Sequence, residues 1–240
     1  MLLLVVGIGF IALICGLVLG KLYFEIKKMS SLETREIVKD VFAVQDNFVN
    51  LFLVKNGSTY IAIDAGNNAE HIHQELNRLH IDPKSVAAVL LTHSDVDHIA
   101  GLSLFENAVI YLSRAEEQMI TGQTSRFLFM KNKLNYAHEL LEDNQVFTIS
   151  GLKIKGILAP GHTPGSMCYL INDTWLFTGD SMSIKNGKVK EFNKIFNMDT
   201  QIQQKSLEKL ADLPGVEYLF TAHYGFTDEF QRVFENWKNP

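Results

Sequence analysis

Cysteine and proline are scarce: two Cys and five Pro in 240 residues. Cys15 lies in an oily N-terminal run and Cys168 in an interior apolar one, so the pair supplies neither a disulfide framework nor a thiolate metal site. Few prolines and 16 glycines, with no fixed period, exclude a collagen-like or low-complexity chain. Basic charge is also short. Lys plus Arg number 22 against 27 Asp plus Glu, a net of −5, which argues against a general nucleic-acid binder. What is abundant is apolar: 47% hydrophobic residues at this length are enough to bury a core.

No charged side chain occurs in residues 1–20, MLLLVVGIGFIALICGLVLG. At about 1.5 Å per residue a helix of that length covers the roughly 30 Å hydrocarbon core of a bilayer. A cleaved signal would carry a basic start and a shorter apolar stretch, whereas the first basic residue here is Lys21. The expectation is an uncleaved single-pass anchor at 1–20, a juxtamembrane linker at 21–35 and one folded domain at 36–240. Lys21, Lys27 and Lys28 follow the span and retain that side in the cytoplasm, so the domain is expected to face the cytoplasm. Gly16 and Gly20 make a small-xxx-small pair, which would suit a homodimer but is weighed against an ordinary lipid-facing helix.

Within the domain, EIVKDVFAV, FVNLFLVK and STYIAID read as three antiparallel strands, with Asn56-Gly57 as a tight turn. A helix is expected from Ala69 to His80, where Ile72, Leu76 and Leu79 recur at helical spacing. Further strands fit AVIYLS, QVFTI, KIKGILA, MCYLI, TWLFT and EYLFTA, and helices fit 114–121, 201–212 and 228–237. Strands in runs with interspersed helices point to a layered α/β or α+β arrangement of two sheets.

The chemistry concentrates where strands end. LLTHSDVDHIAGL sets His93, Ser94, Asp95, Asp97 and His98 after a buried run, and imidazole nitrogen with carboxylate oxygen suits a borderline-hard divalent metal. Strand ends recur at APGHTPGS with His162, LFTGD with Asp180 and LFTAHYG with His223. His71, His73, His80 and His138 lack such a setting and read as surface or packing residues. Ser94 reads as a small loop filler, and Cys168 as a buried hydrophobe.

AIDAG, THSDVDH, PGHTPGS, FTGD and AHYG occur in that order, and the chain resembles the metallo-β-lactamase-fold hydrolase superfamily, in its glyoxalase II and lactonase-like branch. The resemblance implies a four-layer αβ/βα sandwich of two mixed sheets flanked by helices. It implies two divalent metals: His93, Asp95 and His162 at one, Asp97, His98 and His223 at the other, and Asp180 between them. Asp64 would support the metal loop, and Asp97 would orient the attacking water, a metal-activated hydroxide. Tyr224 is a candidate oxyanion donor or an aromatic wall.

The family usually has His at position 95 and Gly at position 100. Asp95 still fits zinc, while an anionic oxygen raises affinity for manganese or iron. The function so implied is hydrolysis of an ester, thioester or lactone bond of a small anionic or lipophilic substrate. The alternatives are an iron-dependent redox enzyme resembling persulfide dioxygenases and a non-catalytic binding protein with a degraded site. Residues 121–138 and 181–200, with Arg126, Lys131 and Lys133 among them, are expected to shape the substrate pocket.

Overall fold

The structure, a computed structural model, describes residues 16, 20, 21, 23–126 and 132–238. Gly16 and Gly20 of the expected anchor are helical, as is Lys21 after it, and the rest of the anchor lies outside the described residues. Among the described residues no helix is long and apolar enough to cross a membrane.

Period-two apolar patterns fold as strands β1 (Arg35–Val38), β2 (Val41–Asp46), β3 (Val49–Asn56) and β4 (Thr59–Ile63), followed by β5 (Val86–Leu90), β6 (Val109–Ser113) and β7 (His138–Leu141). They form one seven-stranded sheet in chain order. The first four pair antiparallel, and β4 to β7 pair parallel. The expected three-strand opening is therefore four strands, because Asp40 turns back with a left-handed φ of 65° inside what reads as one run. Asn56 pairs with Thr59, which moves the tight turn one residue on, to Gly57-Ser58.

The second half contributes β8 (Val146–Ile149), β9 (Leu152–Leu158), β10 (Met167–Ile171), β11 (Trp175–Phe177), a separate hairpin β12 (Ser183–Lys185) with β13 (Lys188–Lys190), and then β14 (Tyr218–Phe220) and β15 (Phe226–Thr227). The six-stranded sheet runs β15-β14-β11-β10-β9-β8, with β11 and β14 parallel and the other pairs antiparallel.

Alternate residues of each sheet serve different layers. Phe52, Ile61, Ile63 and Leu90 meet Ile154, Tyr169, Phe177 and Phe220 between the sheets. On the outer face of the first sheet, Leu51, Leu53 and Val89 pack under Ile72 and Leu76 of helix α1 (Ala69–Arg78). Asn68 caps that helix, accepting from the His71 N–H. Short helices α2 (Val96–Ile99) and α3 (Glu117–Ile120) follow. On the outer face of the second sheet, Ile157 and Leu219 pack under Leu207 and Leu210 of α4 (Thr200–Ala211), which Asp199 caps. The expected 228–237 helix is divided into α5 (Phe230–Val233) and α6 (Glu235–Lys238). Two mixed sheets face each other, with helices on both outer sides.

Residues 25–32, within the 21–35 stretch expected as a linker, lie against this domain. The Ser30 N–H donates to the His223 carbonyl at 2.8 Å, and Leu32 exchanges hydrogen bonds with the Asn50 side chain at 2.7 and 2.9 Å.

Candidate metal centre

Strand ends of both sheets open on one edge, where β4, β5, β9, β11 and β14 deliver their polar loops. Asp64, just past β4, has a left-handed φ of 63° that turns its carboxylate back toward the next strand. There it accepts the Thr92 N–H at 2.7 Å and the Thr92 hydroxyl at 2.8 Å, and it holds His98 Nδ1 at 2.8 Å. The loop then runs into α2. Ala100 sits there in ordinary helical geometry, φ −66°, so its methyl is tolerated where the family pattern has glycine. Gly101 is the tight position: a Cβ would fall 2.1 Å from the Ala65 carbonyl oxygen.

The structure brings the predicted residues His93, Asp95, Asp97, His98, His162, Asp180 and His223 together. Their donor atoms form three groups, each spanning at most 4.8 Å: His93, Asp95 and His162; His93, His98 and Asp180; Asp97, His98 and His223. In the first, His162 Nε2 lies 3.2 Å from His93 Nε2 and 3.3 Å from Asp95 Oδ2. In the last, Asp97 Oδ2 is 3.7 Å from His98 Nε2 and 3.6 Å from His223 Nε2. Asp180 spans the two, with Oδ2 3.2 Å from His162 Nε2 and Oδ1 3.1 Å from His223 Nε2.

Outer contacts set the tautomers. His98 Nδ1 faces Asp64, His223 Nδ1 faces the Phe48 carbonyl at 2.8 Å, and His93 Nδ1 faces the Thr92 hydroxyl oxygen at 3.0 Å. In the neutral ring each pairing favours the proton on Nδ1 and directs Nε2 inward, the arrangement that metal-ligating imidazoles require. His98 Nε2 and Asp180 Oδ1 are buried with no hydrogen-bond partner, 3.5 Å apart. Two such orphaned ligand atoms fit a divalent cation.

The charges tell the same story. Burial disfavours a charged His98, yet Asp64, Asp97 and Asp180 outweigh it and hold the imidazole up at about 10. Burial likewise opposes ionisation of Asp180, but His223, His162 and His98 keep its carboxyl below the usual range. His162 goes the other way, to about 4, because burial, helped by the Arg126 guanidinium, overrides the attraction of Asp180.

Several residues of this edge carry more than the sequence signals. Glu116 is fully buried and clasps two loops, accepting from the Ser94 N–H at 3.0 Å and hydroxyl at 2.7 Å, and from the Thr163 hydroxyl at 2.7 Å and Gly165 N–H at 3.1 Å. Ser94 is thus a tie and not merely a filler. A Cβ at Gly165 would lie 2.2 Å from the Glu116 nitrogen, and this crowding is what the glycine of PGHTPGS answers. Asn132 donates to Asp95 Oδ1 at 3.0 Å, and Arg126 Nη2 sits 2.7 Å from Asp95 Oδ2 and 3.0 Å from His162 Nε2.

A cavity of about 490 Å³ opens over these residues, within the roughly 300–1,000 Å³ usual for small-molecule sites. Arg126, Asn132 and Lys133 from the first expected pocket segment line it, as do Phe192 and Phe196 from the second. Lys131 lies outside the described residues. Tyr224 is not among the lining residues; its ring meets Phe192 edge-on at 5.9 Å, and burial with nearby Asp180 and Glu25 pushes its hydroxyl up to about 12.

Fold and site together set clustered His and Asp side chains, able to hold a metal, at the shared edge of two mixed sheets. The family model of the metallo-beta-lactamase superfamily matches residues 44–223, and the chain belongs to that superfamily. It is 32% identical over 148 residues to the "Probable polyketide biosynthesis zinc-dependent hydrolase BaeB" of Bacillus velezensis, covering 60% of this chain and 59% of that protein. It is 26% identical over 185 residues to the hydroxyacylglutathione hydrolase of Glaesserella parasuis, 75% of this chain and 67% of the relative. An atrochrysone carboxyl ACP thioesterase of Cryptosporiopsis is 29% identical over 135 residues, 55% and 38% of the respective chains. Among solved structures, a B3 metallo-beta-lactamase described as having an active-site glutamic acid superposes with TM-score 0.67 at 16% identity, covering 88% and 89%. A Cronobacter sakazakii metallo-beta-lactamase gives 0.64 at 19%, covering 80% of each chain. These structural likenesses concern the fold.

Proposed function

We propose that the chain is a dinuclear, zinc-dependent hydrolase of acyl ester or thioester bonds, tethered to a membrane through residues 1–20 with its domain facing the cytoplasm. The observation that carries the dinuclear reading is Asp180, whose two carboxylate oxygens address different histidine groups. His93, Asp95 and His162 would hold one ion, Asp97, His98 and His223 the other. When bound, such ions supply Lewis acidity toward the acyl oxygen and lower the pKa of water.

The chain's own groups do the rest. Asp97 borders the cavity, where its carboxylate can take a proton from attacking water and return it to the leaving group. Asn132 and Glu116 fix the loop that carries Asp95, so the ligands meet the substrate already oriented. Similarity to relatives named as a hydroxyacylglutathione hydrolase and an ACP thioesterase favours thioesters and esters. Orientation rests on Lys21, Lys27 and Lys28 following the oily run.

The test is Asp180→Ala in the full chain, assayed on short thioesters and for zinc by elemental analysis. Turnover and at least one zinc per chain should disappear together. Hydrolysis at the parent rate would refute the dinuclear mechanism.

A further inference from the structure

The cavity is two-sided. Beside Asp95 it is polar and cationic, with Arg126, Asn132 and Lys133. Beside His223 it is apolar, and part of that wall comes from an unexpected place: Ile26 and Met29, six and nine positions beyond the end of the oily run. They adjoin Phe48, whose ring stacks on His223 at 5.7 Å. The segment is pinned there by Ser30 on the His223 carbonyl and by Glu25, which accepts from Asn193 Nδ2 at 2.7 Å.

The residues on either side of this wall suit a lipid headgroup region. Tyr23 and Phe24 are 57% and 66% exposed, and the Lys27 ammonium lies 5.5 Å from the Tyr23 ring centre. Exposed aromatics with flexible lysines are what the interface of a bilayer accommodates. Val96, between two predicted ligands, also lines the cavity and is 67% exposed, so apolar surface continues out of the mouth.

We infer that the substrate is an amphiphilic acyl ester or thioester taken from the bilayer, its acyl chain lying along Ile26, Met29 and Phe48 and its polar part toward Arg126 and Lys133. This rests on the hydrolase reading above and adds the substrate class. The short connection from residue 20 to Ile26 keeps the mouth at headgroup depth. The anchor then does more than hold the enzyme at a membrane: it sets the height of the pocket over the lipid.

The test uses the full chain in zwitterionic phospholipid nanodiscs, with p-nitrophenyl acetate, butyrate and octanoate as probes. Each buried methylene is worth about fourfold in kcat/KM, and octanoate carries six more than acetate; burial of about half of these predicts roughly a sixtyfold rise from acetate to octanoate. The double variant Ile26→Ser, Met29→Ser should lower the octanoate-to-acetate ratio about tenfold while zinc content holds at the parent value. A flat chain-length profile with the acetate still cleaved would overturn the inference and leave the hydrolase reading standing; no turnover of any ester or thioester would overturn that reading itself. A photolabel settles the pocket without turnover: a long-chain acyl amide bearing a terminal diazirine, placed in the nanodisc, should mark residues 26–29 and 48. Labelling confined to residues 1–20 would refute the inference.

Discussion

Removing the Arg126 side chain should tighten zinc binding. Its guanidinium lies 2.7 Å from Asp95 Oδ2 and 3.0 Å from His162 Nε2, and both partners of the ion pair are largely buried, at 11% and 16% exposure. Arg126 therefore stands among the atoms proposed to hold one ion, and an ion bound there would have to displace it. A hydrogen bond to a charged group contributes about 1.5–3 kcal/mol, and about 1.4 kcal/mol is tenfold in affinity. Arg126→Ala should thus raise zinc affinity at the proposed His93, Asp95 and His162 site by roughly tenfold to a hundredfold. The assay is competition with a chromophoric chelator, which resolves two classes of site on one chain. In the metal-free protein the same change leaves Asp95 without its cation, so the melting temperature should fall, while the zinc-loaded variant should melt with the parent. Unchanged or weakened zinc affinity would refute the argument and would make Arg126 a group that assists the ion instead of competing with it.

Two further outcomes follow from the buried charges. Glu116→Gln replaces an oxygen by an amide that must face either the Ser94 or the Thr163 and Gly165 donors; a loss of about 1–3 kcal/mol is expected, read as a drop of roughly 3–10 °C in melting temperature. His98, held up at about 10, must lose its proton to bind metal. Its raised value stabilises the metal-free fold fully below the unfolded value near 6.5 and progressively less as pH climbs through about 10. Zinc binding at pH 8 should therefore release about one proton from this residue, measured by calorimetry in buffers of different ionisation enthalpy; heats independent of the buffer would contradict the assignment.

The ligand set was legible because each member has a chemically distinctive side chain at the end of an apolar run. His93, His162, Asp180 and His223 are all buried polar residues beside strands, an arrangement that no packing requirement explains. Glu116 and Asn132 were not legible, because a glutamate in Arg114-Ala115-Glu116-Glu117 looks like any helix-surface charge until Ser94 and Thr163 fold against it. Residues 25–32 read as a polar connector for the same reason: their partners, Asn50, Asn193 and His223, are distant in the chain. The extra opening strand was missed because Asp40 adopts a left-handed turn without a glycine to announce it.

The division of the ligands between the sheets has a consequence for biosynthesis. The first four belong to residues 93–98, but the last, His223, emerges 130 positions after the first. A chain that ends before β14 can display only a partial chelate, because His223 follows β14, which pairs in parallel with β11. Filling of the complete centre is thus a statement that the whole sandwich has closed. Bound metal would serve as a seal on a finished molecule, and a chain cut short before β14 would be left outside the active pool.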